Sequence, residues 1–428
     1  MIAWCETLLA GREAAPDLML ADYIRAIPGM AELDKLPSGT PVLVRGDVDA
    51  KPGDKIGDGD IRLRSMVDTL KYGQERGWKQ IVFGHIGRKP EGSLVRVAKR
   101  LGQLLESDVP LIADWLDESS NSILPAAARQ IIDAKPGAVL MLENTRKYKI
   151  ETILWKASPA DLPALAPKLA KLAHEFAEKL GKHYVFEAFS AGSLDASSVI
   201  IPAAMQQAVL GKYVSEEFTI PVMRCLDAQL VVFSGLKIDK LDDLEAMIGR
   251  GKIIRVIAAG SLAMALLKAS AQLEGRELSI GAAEDPANKD QPYYIPPERI
   301  AQAKRMIADG TRKGIKFFLP VDFVIQDGSV VEKLKSGDQQ LDIGPKTSEL
   351  FEFAVGEFME LNGSVAFYNG VFGKFEDQKF EQGTKRFIQQ LKRMSDSLVE
   401  VYVGGGEGGA AIEKYGEESW ATHIFTAG

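Results

Sequence analysis

Short apolar runs rich in β-branched residues punctuate the chain at residues 41–45, 80–84, 138–142, 184–188, 230–234, 253–257, 317–321, 365–368 and 399–403. Runs of this kind, with no alternating polar face, fit strands buried on both sides of a parallel sheet. Stretches of helical period lie between them. The clearest places Leu165, Leu169, Leu172, Phe176 and Leu180 on one helix face. Strands alternating with helices predict βαβ units, and nine runs suit two sheets better than one. The predicted fold class is therefore α/β, with two Rossmann-like doubly wound parallel-sheet domains joined by a hinge helix. A length of 428 residues agrees, because a single core rarely grows beyond ~250–300 residues. The boundary falls at residues 202–220, where the segment 202–218 reads as a helix closed off by Pro221. Residues 37–201 and 221–428 are then the two domains, and residues 1–36 an N-terminal extension.

Composition narrows the class. Hydrophobic residues make up 46% and charged residues 26%, as in ordinary globular proteins. A net charge of -7 with no basic stripe argues against nucleic acid and acidic membranes as partners. Cys5 and Cys225 have no zinc or redox spacing, which points to a reducing, cytoplasmic setting. The first residues lack a basic leader and carry Glu6 within their apolar stretch, unlike a signal peptide. No apolar run is long enough to span a bilayer. The histidines His85, His174, His183 and His423 show no metal-ligand spacing.

Glycines cluster where strands are expected to end. The run 404–409 follows a strand and precedes the helical stretch 410–415, an arrangement that turns backbone N–H groups toward an anion. It matches neither the Walker pattern nor the dinucleotide fingerprint, and alone it reads more readily as a flexible turn. Its neighbours change that. Gly344-Pro-Lys-Thr347, Tyr368-Asn-Gly370 with Phe375-Glu376, and Gly404-Gly-Gly-Glu407 follow in the order of G-P-K-T, W-N-G-P with F-E, and G-G-G-D in the phosphoglycerate kinase family. Leu319-Pro-Val-Asp322 resembles that family's L-P-V-D. Gly235-Leu-Lys237 with Asp239-Lys240 resembles its G-A-K-V-x-D-K with one residue deleted. In the first half, Val42-Leu-Val-Arg-Gly-Asp47, Arg62-Leu-Arg64, His85-Ile-Gly-Arg88 and Leu142-Glu-Asn-Thr-Arg146 resemble V-L-V-R-x-D, R-I-R, H-L-G-R and L-E-N-L-R. The resemblance runs from about residue 40 to the C-terminus.

It implies a kinase that moves a phosphoryl group between ATP or ADP and the carboxylate of 3-phosphoglycerate, with Mg2+, by closure of two domains. Residues 37–201 would bind the phosphorylated carboxylate through Arg45, Asp47, Asp49, Arg62, His85, Arg88 and Arg146. Guanidinium forks suit phosphate and carboxylate. Residues 221–428 would bind the nucleotide through Gly235, Lys237, Lys240, Gly260, Asn369, Glu376, Gly404, Gly405, Gly406 and Glu407, with Glu407 also the metal ligand. Arg62 and Lys237 would be catalytic. The expected molecule is a monomer.

The sequence departs from the family at named positions. The family's His-Arg-Ala-His becomes Ser193-Leu-Asp-Ala196, which removes an arginine and adds the negative charge of Asp195. Asp49 replaces an asparagine, and Glu407 replaces an aspartate. These changes keep two alternatives open: a kinase for a different small carboxylate, and a non-catalytic nucleotide-binding homologue. The chain also stops at Gly428, short of the family's last helix, while residues 3–13 resemble that helix. The expectation is a circular permutation, set against an unrelated extension with a truncated end.

Overall fold

The computed structural model describes residues 26–191, 194–236 and 238–426. The chain divides into two compact units, Met1–Thr219 and Ile220–Gly428. The stretch expected to be a relocated helix, residues 3–13, lies outside the described residues, and so does Lys237.

In the first unit, the strands β1 (Pro41–Gly46), β2 (Lys79–Phe83), β3 (Leu111–Ile112), β6 (Val139–Leu142), β7 (His183–Glu187) and β8 (Gln207–Leu210) form one sheet in the order β3-β6-β2-β1-β7-β8. Every pairing in it is parallel. A short antiparallel pair, β4 (Leu116–Asp117) and β5 (Ser122–Ile123), lies between β3 and β6 in sequence. Successive side chains of a strand point to opposite faces, and both faces are covered here. Leu43 packs with Ile81, Leu140 and Phe176 on one side, while Val42 and Val44 pack with Leu70, Trp78 and Met141 on the other. Double burial is why these strands read as unbroken apolar runs. The helix Leu162–Lys179 supplies the predicted stripe: Leu169, Leu172, Phe176 and the adjoining Leu180 are buried, and Leu165 is half-buried.

Two expectations are corrected in this part of the chain. Residues 202–218 are not one helix. Gln207–Leu210 is an edge strand in register with His183–Phe186, because Val209 has a core position beside β7. Helix follows only at Lys212–Glu217, and Pro221 sits inside the π-helical turn Phe218–Val222 rather than after a helix. Residues 28–36, grouped with the extension in the sequence reading, are built into this unit. Gly29 bridges to Leu210, and Met30 and Leu33 are core residues.

In the second unit, β9 (Leu230–Phe233), β10 (Arg255–Ala258), β11 (Lys316–Phe318), β15 (Val365–Asn369), β16 (Glu400–Gly404) and β17 (His423–Ile424) form a parallel sheet in the order β11-β10-β9-β15-β16-β17. A separate antiparallel sheet of β12 (Phe323–Ile325), β13 (Val330–Val331) and β14 (Gln340–Ile343) has β12 in its middle, in the order β13-β12-β14. Val231, Phe233 and Val256 face one core, and Leu230, Val232 and Ile257 face the other. The glycine run also differs from its predicted form. Gly405 already opens the helix Gly405–Tyr415, so the glycines are that helix's first turn and not a loop before it. Gly405 makes the strand-to-helix turn at φ +82°, a left-handed conformation that favours glycine.

Candidate active site

In an open parallel sheet, ligands bind at the carboxyl ends of the strands where the strand order reverses. In the first unit that point is β1, with β2 on one side and β7 on the other. The predicted residues gather there. Arg45 is the next-to-last residue of β1, Asp47 and Asp49 follow the strand, His85 and Arg88 follow β2, and Arg146 follows β6 on the short turn Thr145–Lys147.

Arg45 is enclosed. Its Nε donates to Ser197 Oγ at 2.8 Å, its Nη1 to the Gly46 carbonyl at 2.8 Å, and its Nη2 stands 3.0 Å from His85 Nδ1. Arg146 donates from Nη1 to the Gly87 carbonyl at 2.7 Å and from Nη2 to Asp195 Oδ2 at 3.0 Å, and its guanidinium lies 4.6 Å from the Trp155 ring centre. Asp195 Oδ2 is also 3.3 Å from His85 Nδ1 and 3.8 Å from Arg45 Nη2. Its Oδ1 accepts from Trp155 Nε1 at 2.8 Å. Burial opposes ionisation of Asp195, but His85 and the guanidiniums of Arg146 and Arg45 outweigh it and hold the carboxyl below its ordinary range. Burial pushes the His85 imidazole down, and the charges of Arg45 and Arg146 add to that effect.

Arg62 stands apart from this cluster, on the short helix Ile61–Ser65. Its Nη1 donates to the Asp49 carbonyl at 3.0 Å and lies 3.7 Å from Asp47 Oδ1 and 3.5 Å from Asp49 Oδ2. Asp49 Oδ1 accepts from the Gly87 amide at 2.9 Å, which joins the loops after β1 and β2. Asp47 is buried, and its Oδ2 has no hydrogen-bond partner. Burial raises its pKa against the pull of Arg62 and of the nearby Ser190 hydroxyl. A buried, unanswered acceptor is costly unless a ligand donates to it. Arg88 is exposed on the loop after β2.

In the second unit the order reverses between β9 and β15. Lys240, which opens the helix Lys240–Gly249, spans that point: its Nζ donates to the Ser234 carbonyl at 2.5 Å and to Asn369 Oδ1 at 2.9 Å. A cavity of about 600 Å³ opens beside it, lined among others by Gly235, Gly260, Tyr293, Lys374, Glu376 and Glu407. Gly260 has φ +63°, and a methyl group there would stand 2.5 Å from the Gly235 carbonyl oxygen, so the loops after β9 and β10 meet backbone to backbone. A methyl at Gly404 would stand 2.8 Å from the Phe367 ring, so Gly404 too is fixed by lack of space. Gly405 is buried, Gly406 and Glu407 are exposed on the first helical turn, and Glu376 is exposed at the cavity wall.

Glu407 fits a magnesium ion carried by a nucleotide. A methyl placed at Gly235 would be 3.3 Å from Lys240 Nζ and 3.5 Å from Glu407 Oε2, so both charged groups converge on that loop. Magnesium keeps waters and phosphate oxygens and needs only one or two carboxylates. Among the described residues there is no cluster of three or more His, Cys, Asp and Glu groups placed to hold a metal without such help.

Sequence reasoning missed several residues that complete these sites. Glu151 accepts from Thr145 Oγ1 at 2.8 Å and from the Ser197 amide at 2.9 Å, and Ser197 Oγ bonds both Glu151 and Arg45. Trp155 and Tyr293 were also missed. None lies in a periodic run, and the only signal was nearness in sequence to Arg146 for Glu151 and Trp155, and to Asp195 for Ser197. Among the described residues no helix is long and apolar enough to cross a membrane.

Two doubly wound parallel sheets, each with its own switch point, form the architecture of a two-domain α/β phosphotransferase. The family model for phosphoglycerate kinase matches residues 33–428, and the chain belongs to that family. It is 30% identical over 409 residues to the phosphoglycerate kinase of Clostridium botulinum strain Alaska E43, covering 91% of each chain. It is 29% identical over 404 residues to that of Clostridium beijerinckii, covering 91% of this chain and 92% of the relative. The fold is shared with the phosphoglycerate kinase structures from Pyrococcus horikoshii, with TM-score 0.71 and 23% identity, and Coxiella burnetii, with TM-score 0.62 and 22% identity; each covers 94% of both chains. The family uses ATP or ADP with magnesium.

Proposed function

We propose that this chain transfers a phosphoryl group reversibly between ATP and the carboxylate of 3-phosphoglycerate, with the first unit holding the acceptor and the second the nucleotide. The observation that carries this reading is the cavity of about 600 Å³ at the switch point of the second sheet, glycine-lined and bordered by Glu376 and Glu407. Family membership supports it.

In the forward direction a carboxylate oxygen of the acceptor attacks the γ-phosphorus of ATP in line. The bond from that phosphorus to the bridging oxygen breaks, leaving an acyl phosphate and ADP. The carboxylate is already ionised at neutral pH, so no proton moves and no general base is needed. The chain's task is alignment and positive charge. Arg62 is assigned to the transferring group together with Lys237. Asp47 Oδ2, buried and unpartnered, is assigned to the acceptor's hydroxyl. Arg146, His85 and Arg88 are assigned to the acceptor's far end, and Arg45 holds His85 from behind. Lys240, Asn369 and the amides of Gly404 to Gly406 take the nucleotide phosphates, and Glu376 takes the ribose hydroxyls. Magnesium, held by Glu407 and the nucleotide phosphates, supplies charge neutralisation of the transferring group. We place the protein in the cytoplasm as a monomer.

The test is a coupled assay with 3-phosphoglycerate, ATP and magnesium, run beside calorimetry with ADP. Turnover is expected, with Arg62→Ala and Lys237→Ala each lowering kcat by about 10²-fold or more. ADP binding without turnover would identify a non-catalytic homologue, and equal turnover in all three proteins would end the site assignment.

A further inference from the structure

Asp195 sits at the N-cap of the helix Ala196–Val199, yet its side chain makes no capping bond. Aspartate at that position ordinarily accepts from an amide of the first turn. Here the carboxylate turns away to Arg146 at 3.0 Å and Trp155 at 2.8 Å, with His85 at 3.3 Å and Arg45 at 3.8 Å, and it is fully buried. The Arg146 guanidinium and the Trp155 indole N–H thus donate to one anion, with the Arg45 guanidinium and the His85 ring beside it. Such a donor set suits the oxygens of a phosphate as well as a carboxylate.

We propose that Asp195 is a built-in counter-anion occupying the place of the acceptor's non-reacting phosphate, and that competition with it weakens this chain's hold on 3-phosphoglycerate. The inference rests on the acceptor site proposed above. With the reacting carboxylate at Arg62, the acceptor's other end falls to the Arg146 and His85 group. Two anions cannot share one donor set at these distances without strong repulsion, so a phosphate must displace Asp195 to bind there. Trp155 reports the event, because its indole N–H is bonded to the carboxylate that would leave. Leu194 beside it supplies no replacement charge.

The experiment measures binding of 3-phosphoglycerate by calorimetry to the full chain, to Asp195→Ala and to Asp195→Asn, with ADP affinity as the control. Asp195→Ala is expected to bind 3-phosphoglycerate about tenfold tighter or more, and Asp195→Asn tighter by a smaller factor. ADP affinity is expected to be unchanged. Removing Asp195 leaves Arg45 and Arg146 under-compensated, so Asp195→Ala should melt lower than the parent. Added 3-phosphoglycerate should raise that melting temperature further than it raises the parent's, while chloride at equal ionic strength should not. Unchanged or weaker binding in both folded variants would overturn the proposal. Should the variants fail to fold, the parent still decides it: saturating 3-phosphoglycerate must change the fluorescence that Trp155→Phe removes, and no change refutes displacement. Tighter binding without turnover in any protein would leave this inference standing and remove the kinase reading instead.

Discussion

The Nζ of Lys240 donates to Asn369 Oδ1 at 2.9 Å and so ties the start of one helix to the carboxyl end of β15 across the reversal of the second sheet. The same ammonium caps the Ser234 carbonyl at the end of β9. A positive charge fixed by a side-chain amide and a backbone carbonyl is held in place before a phosphate arrives, which is where electrostatic binding gains most. Lys240→Met should therefore weaken ADP binding by about 10- to 100-fold, as expected for lost charge-assisted hydrogen bonds. Calorimetry measures it. An unchanged dissociation constant would make Lys240 a strut between strands and nothing more.

The contact of Gly260 with Gly235 makes a second, independent prediction. Alanine at residue 260 would have to adopt φ +63° and bring its methyl within 2.5 Å of a carbonyl oxygen. The left-handed conformation alone costs roughly 1–2 kcal/mol, and the overlap adds to it. Gly260→Ala should destabilise the protein by about 2 kcal/mol or more in urea and should weaken ADP binding, because the Gly235 loop must shift. Gly249→Ala is the control. No atom lies within 4 Å of its added methyl and its φ is not positive, so stability should rise by about 0.5–1 kcal/mol. If both variants behaved alike, the close approach of the two loops would be absent in solution.

How far the fold could be read in advance depended on burial. Val42, Leu43 and Val44 face alternate cores, both apolar, and so announce a central parallel strand without ambiguity. Gln207–Leu210 is an edge strand in which only Val209 is buried, and half-polar edges look no different from a helix turn. The glycine run was placed at the right strand end, but its helical first turn depends on φ at Gly405, which composition does not encode. At the proposed acceptor site the arginines were legible from their motifs. What each one bonds was not, because Asp195, Glu151 and Trp155 reach them through folds of the chain that leave no periodic trace.

That hidden wiring separates Arg45 from Arg62. Arg45 is 1% exposed and committed to Ser197, Gly46 and His85, whereas Arg62 is 22% exposed. Removing one member of a buried charge network costs about 3–5 kcal/mol, because its partners stay buried and uncompensated. Arg45→Ala should lower stability by that order. Arg62→Ala should cost less than that, because Arg62 is part-exposed and Asp47 can take up a proton in its absence, while abolishing most turnover. Urea titration beside the coupled assay gives both numbers, and a stable Arg45→Ala would show that Ser197 and Glu151 close the network without it.

Stability should also fall as pH rises, for a reason fixed at the end of β7. Burial pushes Glu187 up to about 7 from an ordinary value of 4.5, although Thr69 Oγ1 and the amides of Tyr213 and Val214 donate to it at 2.5, 3.0 and 3.2 Å. Burial likewise pushes Asp342 up to about 7 from 3.8, against the amides of Gly383 and Ile343. In both cases the folded chain retains a proton that the unfolded chain has already released. The stabilisation is complete below the ordinary carboxylate values, declines through the window up to about pH 7, and is gone above it. Each group contributes a slope of at most about 1.4 kcal/mol per pH unit. Urea titrations between about pH 5 and 8 should show the decline, and Glu187→Gln should remove the share that belongs to Glu187. The amide cannot accept from Val214 as the carboxyl does, so the variant starts less stable, and the slope is the quantity to compare. A slope unchanged by Glu187→Gln would mean that the three donors win over burial and that Glu187 is ionised throughout that range.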